Sequence, residues 1–205
     1  MSTFIQRYTA RERSNHWIVA IAFILAALSG LALFHPAFFF LVNLFGGGPW
    51  ARILHPFIGV VMFLFFIAMA VRFWGHNRIT PADRQWMKRI GDVVCNRDQG
   101  LPEVGKYNAG QKVLFWTMVV SIPVLLLSGI VIWQPWFAPF FPIGLMRLAV
   151  VVHALVAWIL TLGIVVHIYA AIWVRGTVRA MTRGTVSEAW AKHHHRAWYR
   201  QMTGK

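Results

Sequence analysis

Cysteine is nearly absent: Cys95 is the only one in 205 residues. That excludes an internal disulfide framework, an iron–sulfur or zinc site built from four cysteines, and the C-x-x-C-H attachment of c-type haem. Acidic residues are scarce too, six against twenty Lys and Arg. All six, Glu12, Asp83, Asp92, Asp98, Glu103 and Glu188, fall in basic segments, so no carboxylate stands where a proton relay through the middle of a membrane would need one. Charge as a whole is thin at 13% of residues, where soluble domains carry about 25%. No internal repeat and no low-complexity tract stands out.

What fills the chain instead is apolar: 58% of residues are hydrophobic and the mean hydropathy is +0.57. Four runs free of Asp, Glu, Lys and Arg, near 14–35, 53–71, 113–133 and 148–174, are long enough for the roughly 20 residues of a spanning helix. The expected fold is an all-α membrane protein, a four-transmembrane-helix bundle forming one integral membrane domain over residues 1–205. Ser14 and Asn15 offer N-caps for the first helix, which ends near His35-Pro36. Ile53 opens the second, placing Pro56 in its tolerated first turn. Pro123 predicts a kink in the third. The polar start, MSTFIQRYTARERSNHW, leads into a full-length span with no small-residue cleavage site, so no removed signal peptide is expected.

The net charge of +14 does not point to nucleic acid, which would need a basic face on a soluble fold. Eighteen of the twenty Lys and Arg lie before the first helix, in the second connection or in the tail. Only Arg52 and Arg147 occupy the other connections. The positive-inside bias therefore predicts both termini cytoplasmic, with the aromatic connections HPAFFFLVNLFGGGPWAR and QPWFAPFFPIGLMR at the outer interface.

Four histidines sort by depth in that frame. His153 and His167, on the fourth helix, are 14 residues apart, about 21 Å of rise and nearly four full turns, so they share a face near opposite surfaces. His55 starts the second helix outside and His16 starts the first inside. Two bis-imidazole pairs result, His55 with His153 and His16 with His167. Haem suits such pairs, because its flat apolar macrocycle fills space between helices while axial imidazoles hold iron. Gly30, Gly59, Gly129 and Gly163 could make room for it, although glycine also serves plain helix packing. Ordinary hydrogen-bonded membrane histidines are the bland alternative. Zinc or copper fits less well, since each pair offers only two protein ligands. His35 and His76 read as helix-end residues, and His193 to His195 as part of a solvated tail.

Ahead of the third helix, Lys106, Tyr107, Asn108, Gly110, Gln111 and Lys112 concentrate donors at the depth of the inner pair. They could meet a quinone, or simply cap and anchor the helix with lysines at lipid phosphates.

The chain resembles the gamma subunit of membrane-bound respiratory formate dehydrogenase, a di-haem cytochrome b. The resemblance runs through HW in the first helix, RILHPFIG in the second, VGKYNAGQK before the third, IWQPWFAPFFP after it, the HA and H-x-Y of the fourth, and WAKHHHRAWYR in the tail. VGKYNAGQK and RILHPF are its most specific parts. It implies two haem b groups, a periplasmic one on His55 and His153 and a cytoplasmic one on His16 and His167. It implies a quinone, menaquinone or ubiquinone, beside His167, Asn108 and Gly110; Gln111 is added from position alone. Electrons would come from an iron–sulfur beta subunit, itself fed by a molybdenum or tungsten alpha subunit that oxidises formate. The setting would be the bacterial inner membrane, and the family suggests a trimer of heterotrimers. The rival readings are the cytochrome b subunit of a nickel–iron hydrogenase or related reductase, and a cofactor-free anchor or transporter. Arg52 and Arg147 are outer candidates for propionate partners.

Overall fold

The computed structural model describes residues 3–95, 97 and 100–204. Asp98 and Lys205, counted above among the acids and the basic tail, lie outside them. In chain order the described residues form strand β1 (Phe4–Gln6), helix α1 (Ala10–Phe34), a 3₁₀ segment (Pro36–Phe45), α2 (Gly48–Phe73), a 3₁₀ turn (Trp74–Asn77), α3 (Pro81–Lys88) and α4 (Ile90–Val94). There follow α5 (Ala109–Ile132), a 3₁₀ turn (Ala138–Phe140), α6 (Ile143–Trp173), α7 (Thr177–Arg183), β2 (Thr185–Ser187), α8 (Glu188–His194) and α9 (Arg196–Thr203).

Helices α1, α2, α5 and α6 are long and apolar enough to cross a membrane. At most 22% of any of their apolar windows is buried within the protein, so most of the apolar side chains are left for lipid rather than water to solvate. The protein is an integral membrane protein of four spanning helices.

All four spanning helices begin about a turn before their apolar runs, at Ala10, Gly48, Ala109 and Ile143 rather than near 14, 53, 113 and 148. α1 begins a turn before Ser14, because Thr9 and Glu12 close a capping box: Thr9 N donates to Glu12 Oε2 at 2.7 Å and Glu12 N to Thr9 Oγ1 at 3.3 Å. T-x-x-E satisfies the first orphan donors, so the helix carries a charged turn ahead of its apolar run. Asn15, freed from capping, donates Nδ2 to the Phe65 carbonyl at 3.2 Å. α2 begins at Gly48, after Gly46 at φ 86° turns the chain. Pro56 is consequently inside the helix, not in its first turn.

The chain divides into two compact units. One, residues 14–69 and 117–165, holds most of the apolar length. Ala32, Val42 and Ala51 are packed there as a small core under the first aromatic connection. Phe39, Phe40, Trp136 and Phe140 stand exposed on the two aromatic connections, as residues of an interfacial belt do.

The other unit, residues 1–13, 70–116 and 166–205, is tied by polar contacts. β1 pairs antiparallel with β2, Ile5 opposite Val186. Gly184, at φ 79°, lets the chain turn into β2; a Cβ there would stand 2.6 Å from the Tyr8 carbonyl. Ala197 N donates to the Val104 carbonyl at 3.1 Å, fastening the tail to the loop before α5. The tail is thus not simply solvated: His195 is 2% exposed and Trp198 5%.

Candidate functional site

In the first unit, α2 presents His55 and α6 presents His153 with ring centroids 6.1 Å apart and planes at 68°. Both line a cavity of about 730 Å³, within the roughly 300–1,000 Å³ usual for ligand pockets. Its walls are mainly apolar, with Phe23, Leu126, Trp133 and Trp158 among them; Arg52 is its one cationic lining residue. Arg147 is not among them.

Each ring is held in the same way. His55 Nδ1 lies 2.9 Å from Ser29 Oγ on α1, and His153 Nδ1 lies 3.0 Å from Ser128 Oγ on α5. The glycine after each serine lies against the imidazole: a Cβ on Gly30 would stand 3.2 Å from His55 Cε1, and one on Gly129 3.4 Å from His153 Cε1. Gly59 also lines the cavity, and a Cβ there would meet nothing within 4 Å. So Gly30 and Gly129 make room for the rings, and Gly59 borders open space.

The donor set fits an iron porphyrin. A first-row metal–imidazole bond is about 2.0–2.1 Å; adding about 1.1 Å from each nitrogen to its ring centre gives roughly 6.2–6.4 Å between two rings that share one metal. The observed 6.1 Å lies just below that range. Among the described residues, no group of three or more His, Cys, Asp or Glu could hold a metal ion. Two imidazoles complete a coordination sphere only for a metal that brings its other ligands, as porphyrin iron does.

His16 stands in the second turn of α1, its ring edge-on to Trp17 with centroids 5.5 Å apart. His167 stands near the end of α6 and is half-buried. The two belong to different units.

Asn108 and Gln111 face each other as a capping box at the start of α5. Asn108 N donates to Gln111 Oε1 at 3.0 Å, and Gln111 N to Asn108 Oδ1 at 2.9 Å. Gly110 packs by Trp86, where a Cβ would make ordinary contacts at 3.5 Å. Lys112 Nζ meets Asp83 Oδ2 at 2.7 Å and the Arg78 carbonyl at 3.1 Å. Burial alone would raise the Asp83 pKa, but the hydrogen bonds from Lys112 and Thr80 outweigh it and hold the carboxyl below its usual range.

A cavity of about 350 Å³ opens beside this cap, lined by His76, Lys106, Tyr107 and Lys112 and by Trp198 and Gln201 of the tail. Burial lowers the Lys106 pKa against the pull of Glu12, and Arg7 lowers it further. Burial first, then Tyr8, pushes the Tyr107 phenol up. Arg7 is enclosed by Trp198 and Trp190, at 4.8 and 5.0 Å from its guanidinium carbon.

The sequence pattern left Ser29 and Ser128 unnoticed, although Leu-Ser-Gly stands at 28–30 and again at 127–129. That short repeat was the available signal.

The profile of the prokaryotic cytochrome b561 family matches residues 7–184. The chain is 50% identical over 198 residues to the formate dehydrogenase cytochrome b556(fdo) subunit of Escherichia coli K12, covering 97% of this chain and 93% of that one. It is 42% identical over 201 residues to the nitrate-inducible cytochrome b556(Fdn) subunit of the same organism, covering 98% and 93%. Against the formate dehydrogenase cytochrome b556 subunit of Haemophilus influenzae it is 39% identical over 199 residues, covering 97% and 84%. The chain belongs to the prokaryotic cytochrome b561 family, and within it is similar over nearly its whole length to formate dehydrogenase cytochrome b556 subunits.

Proposed function

We propose that this chain is the di-haem b membrane anchor of a formate dehydrogenase complex. It would take electrons from an iron–sulfur partner outside and deliver them to a quinone near the cytoplasmic face of the inner membrane. Haem b supplies reversible one-electron transfer at iron. The observation that carries the reading is the His55–His153 pair, 6.1 Å apart on the wall of an apolar cavity. His16 and His167 are the proposed ligands of a second haem. The spacing of His153 and His167 on one helix, about 21 Å, separates the two sites by most of a roughly 30 Å hydrocarbon core.

The chain's own residues set how the site works. His55 and His153 would hold the haem iron through their imidazoles, and a haem so held would serve electron transfer rather than binding oxygen or substrate. Apolar walls exclude water, and Arg52 is the cation available to a haem carboxylate. Near the other surface, Asn108, Gly110, Gln111 and His167 are the proposed quinone site, and the 350 Å³ cavity beside Lys106 and Tyr107 is its water-accessible neighbour. Formate oxidation belongs to a molybdenum or tungsten partner, because one cysteine cannot hold the clusters and metal that it needs.

The orientation rests on the eighteen Lys and Arg before α1, between α2 and α5 and after α6, which would be worth about 1 kcal/mol each at an anionic surface. Residues 1–205 would form one integral membrane domain.

Membranes carrying the complex should show the b-type haem spectrum reduced by formate and reoxidised on adding a quinone. Reduction by hydrogen but not formate would move the chain to the hydrogenase-linked branch. Absence of any haem spectrum would leave a cofactor-free anchor.

A further inference from the structure

Ser29 and Ser128 each do more than fill a helix. Ser29 Oγ lies 2.8 Å from the Leu25 carbonyl and 3.1 Å from that of Ala26. Ser128 Oγ lies 2.6 Å from the Val124 carbonyl and 3.2 Å from that of Leu125. Those carbonyls only accept, so each hydroxyl spends its single proton on its own helix and can meet the imidazole only as an acceptor. The proton of each ring is thereby assigned to Nδ1, and Nε2 keeps its lone pair.

A serine bonded back to its own helix is common and usually means little. Here the arrangement occurs twice, with the same Leu-Ser-Gly triplet, the same histidine nitrogen and the same close glycine. α1 serves the ring from α2, and α5 serves the ring from α6. The two halves hold their imidazole planes 68° apart.

We infer that Ser29 and Ser128 are paired positioning residues that fix the tautomer of His55 and His153 and hold their imidazole planes crossed on one metal. The inference rests on the proposed haem ligation and names what orients it. Two consequences follow from ligand chemistry. A ring donating Nδ1–H to an oxygen is a more basic ligand, which favours ferric iron and lowers the potential. Crossed imidazole planes leave ferric iron with a highly anisotropic low-spin EPR signal, whereas parallel planes give an ordinary rhombic one.

The test uses the purified complex with Ser29→Ala, Ser128→Ala and Ser29→Thr, read by haem content, redox titration and EPR. Wild type should show a highly anisotropic low-spin signal from one haem. Each alanine variant should shift the potential of that haem upward and move its signal toward the rhombic form, leaving the second haem unchanged. Ser29→Thr should restore both. Unchanged potential and EPR in alanine variants that keep two haems would overturn the inference. Where Ser29→Ala loses the outer haem, retention in Ser29→Thr supports the hydroxyl's role, and loss in both contradicts it. A wild-type complex without haem in this subunit would instead overturn the haem reading itself, a separate result.

Discussion

Nη2 of Arg7 lies 3.3 Å from Nε2 of His195, whose Nδ1 donates to the Gly105 carbonyl at 2.7 Å. A ring that donates from Nδ1 can accept from a guanidinium at Nε2 only as neutral imidazole. Burial first, then the Arg7 charge, lowers its pKa to about 3, against the opposing pull of the Gly105 carbonyl. The unfolded ring binds its proton near 6.5, so between these values the unfolded state binds more protons. The stability that this contact gives is therefore complete above about pH 6.5 and declines as pH falls toward 3. Limited proteolysis of the tail should accelerate between pH 7.5 and 5. His195→Gln should flatten that pH response; an equally steep response would place the titrating group elsewhere.

Lys112 and Asp83 form the ion pair that ties α5 to α3, each with side-chain exposure of 10%. Removing one partner of a buried pair strands the other charge, at a cost of about 3–5 kcal/mol. Asp83→Asn should lower the melting temperature of the complex clearly, and Asp83→Asn with Lys112→Met should recover much of the loss. Thermal melts followed by haem absorbance would show it.

Gly30 leaves His55 the room that its ring needs. Gly30→Ala places a carbon 3.2 Å from Cε1, tighter than ordinary packing, and should reduce occupancy of the outer haem severalfold. Gly59→Ala has open space at the same cavity and should fold normally. Haem-to-protein ratios for the two variants separate pressure on the ligand from pressure on the cavity.

Asn108 has two candidate roles that one substitution can divide. As a helix cap it is worth about 1 kcal/mol, most of which serine preserves. As a quinone ligand it would use its amide, which serine lacks. Asn108→Ser should keep both haem spectra and near-normal stability while slowing quinone reduction at least severalfold. Normal turnover would reduce Asn108 to a cap.

Much of this was legible in the sequence, for definite physical reasons. Apolar length and the scarcity of charge specify four spans because lipid tolerates little else. The pairing of His55 with His153 follows from depth, since a helix turns a sequence offset into a rise. An apolar run does not mark where its helix starts: Thr9 and Glu12 cap α1 among charged residues, ahead of its apolar part. The roles of Arg7 and His195 were hidden because β1 and β2 meet across almost the whole chain, and no local pattern announces such a contact. Ser29 and Ser128 were hidden because serine in an apolar helix has many uses, and only the facing histidine selects one.

The proposed ligation puts two haem b groups on four histidines. Pyridine haemochrome analysis of the purified subunit should give two haem b per chain in the wild type and one in His55→Ala and in His153→Ala. The haem that remains should be the same in both variants. A wild-type ratio of one, or two haems retained in His153→Ala, would contradict the account.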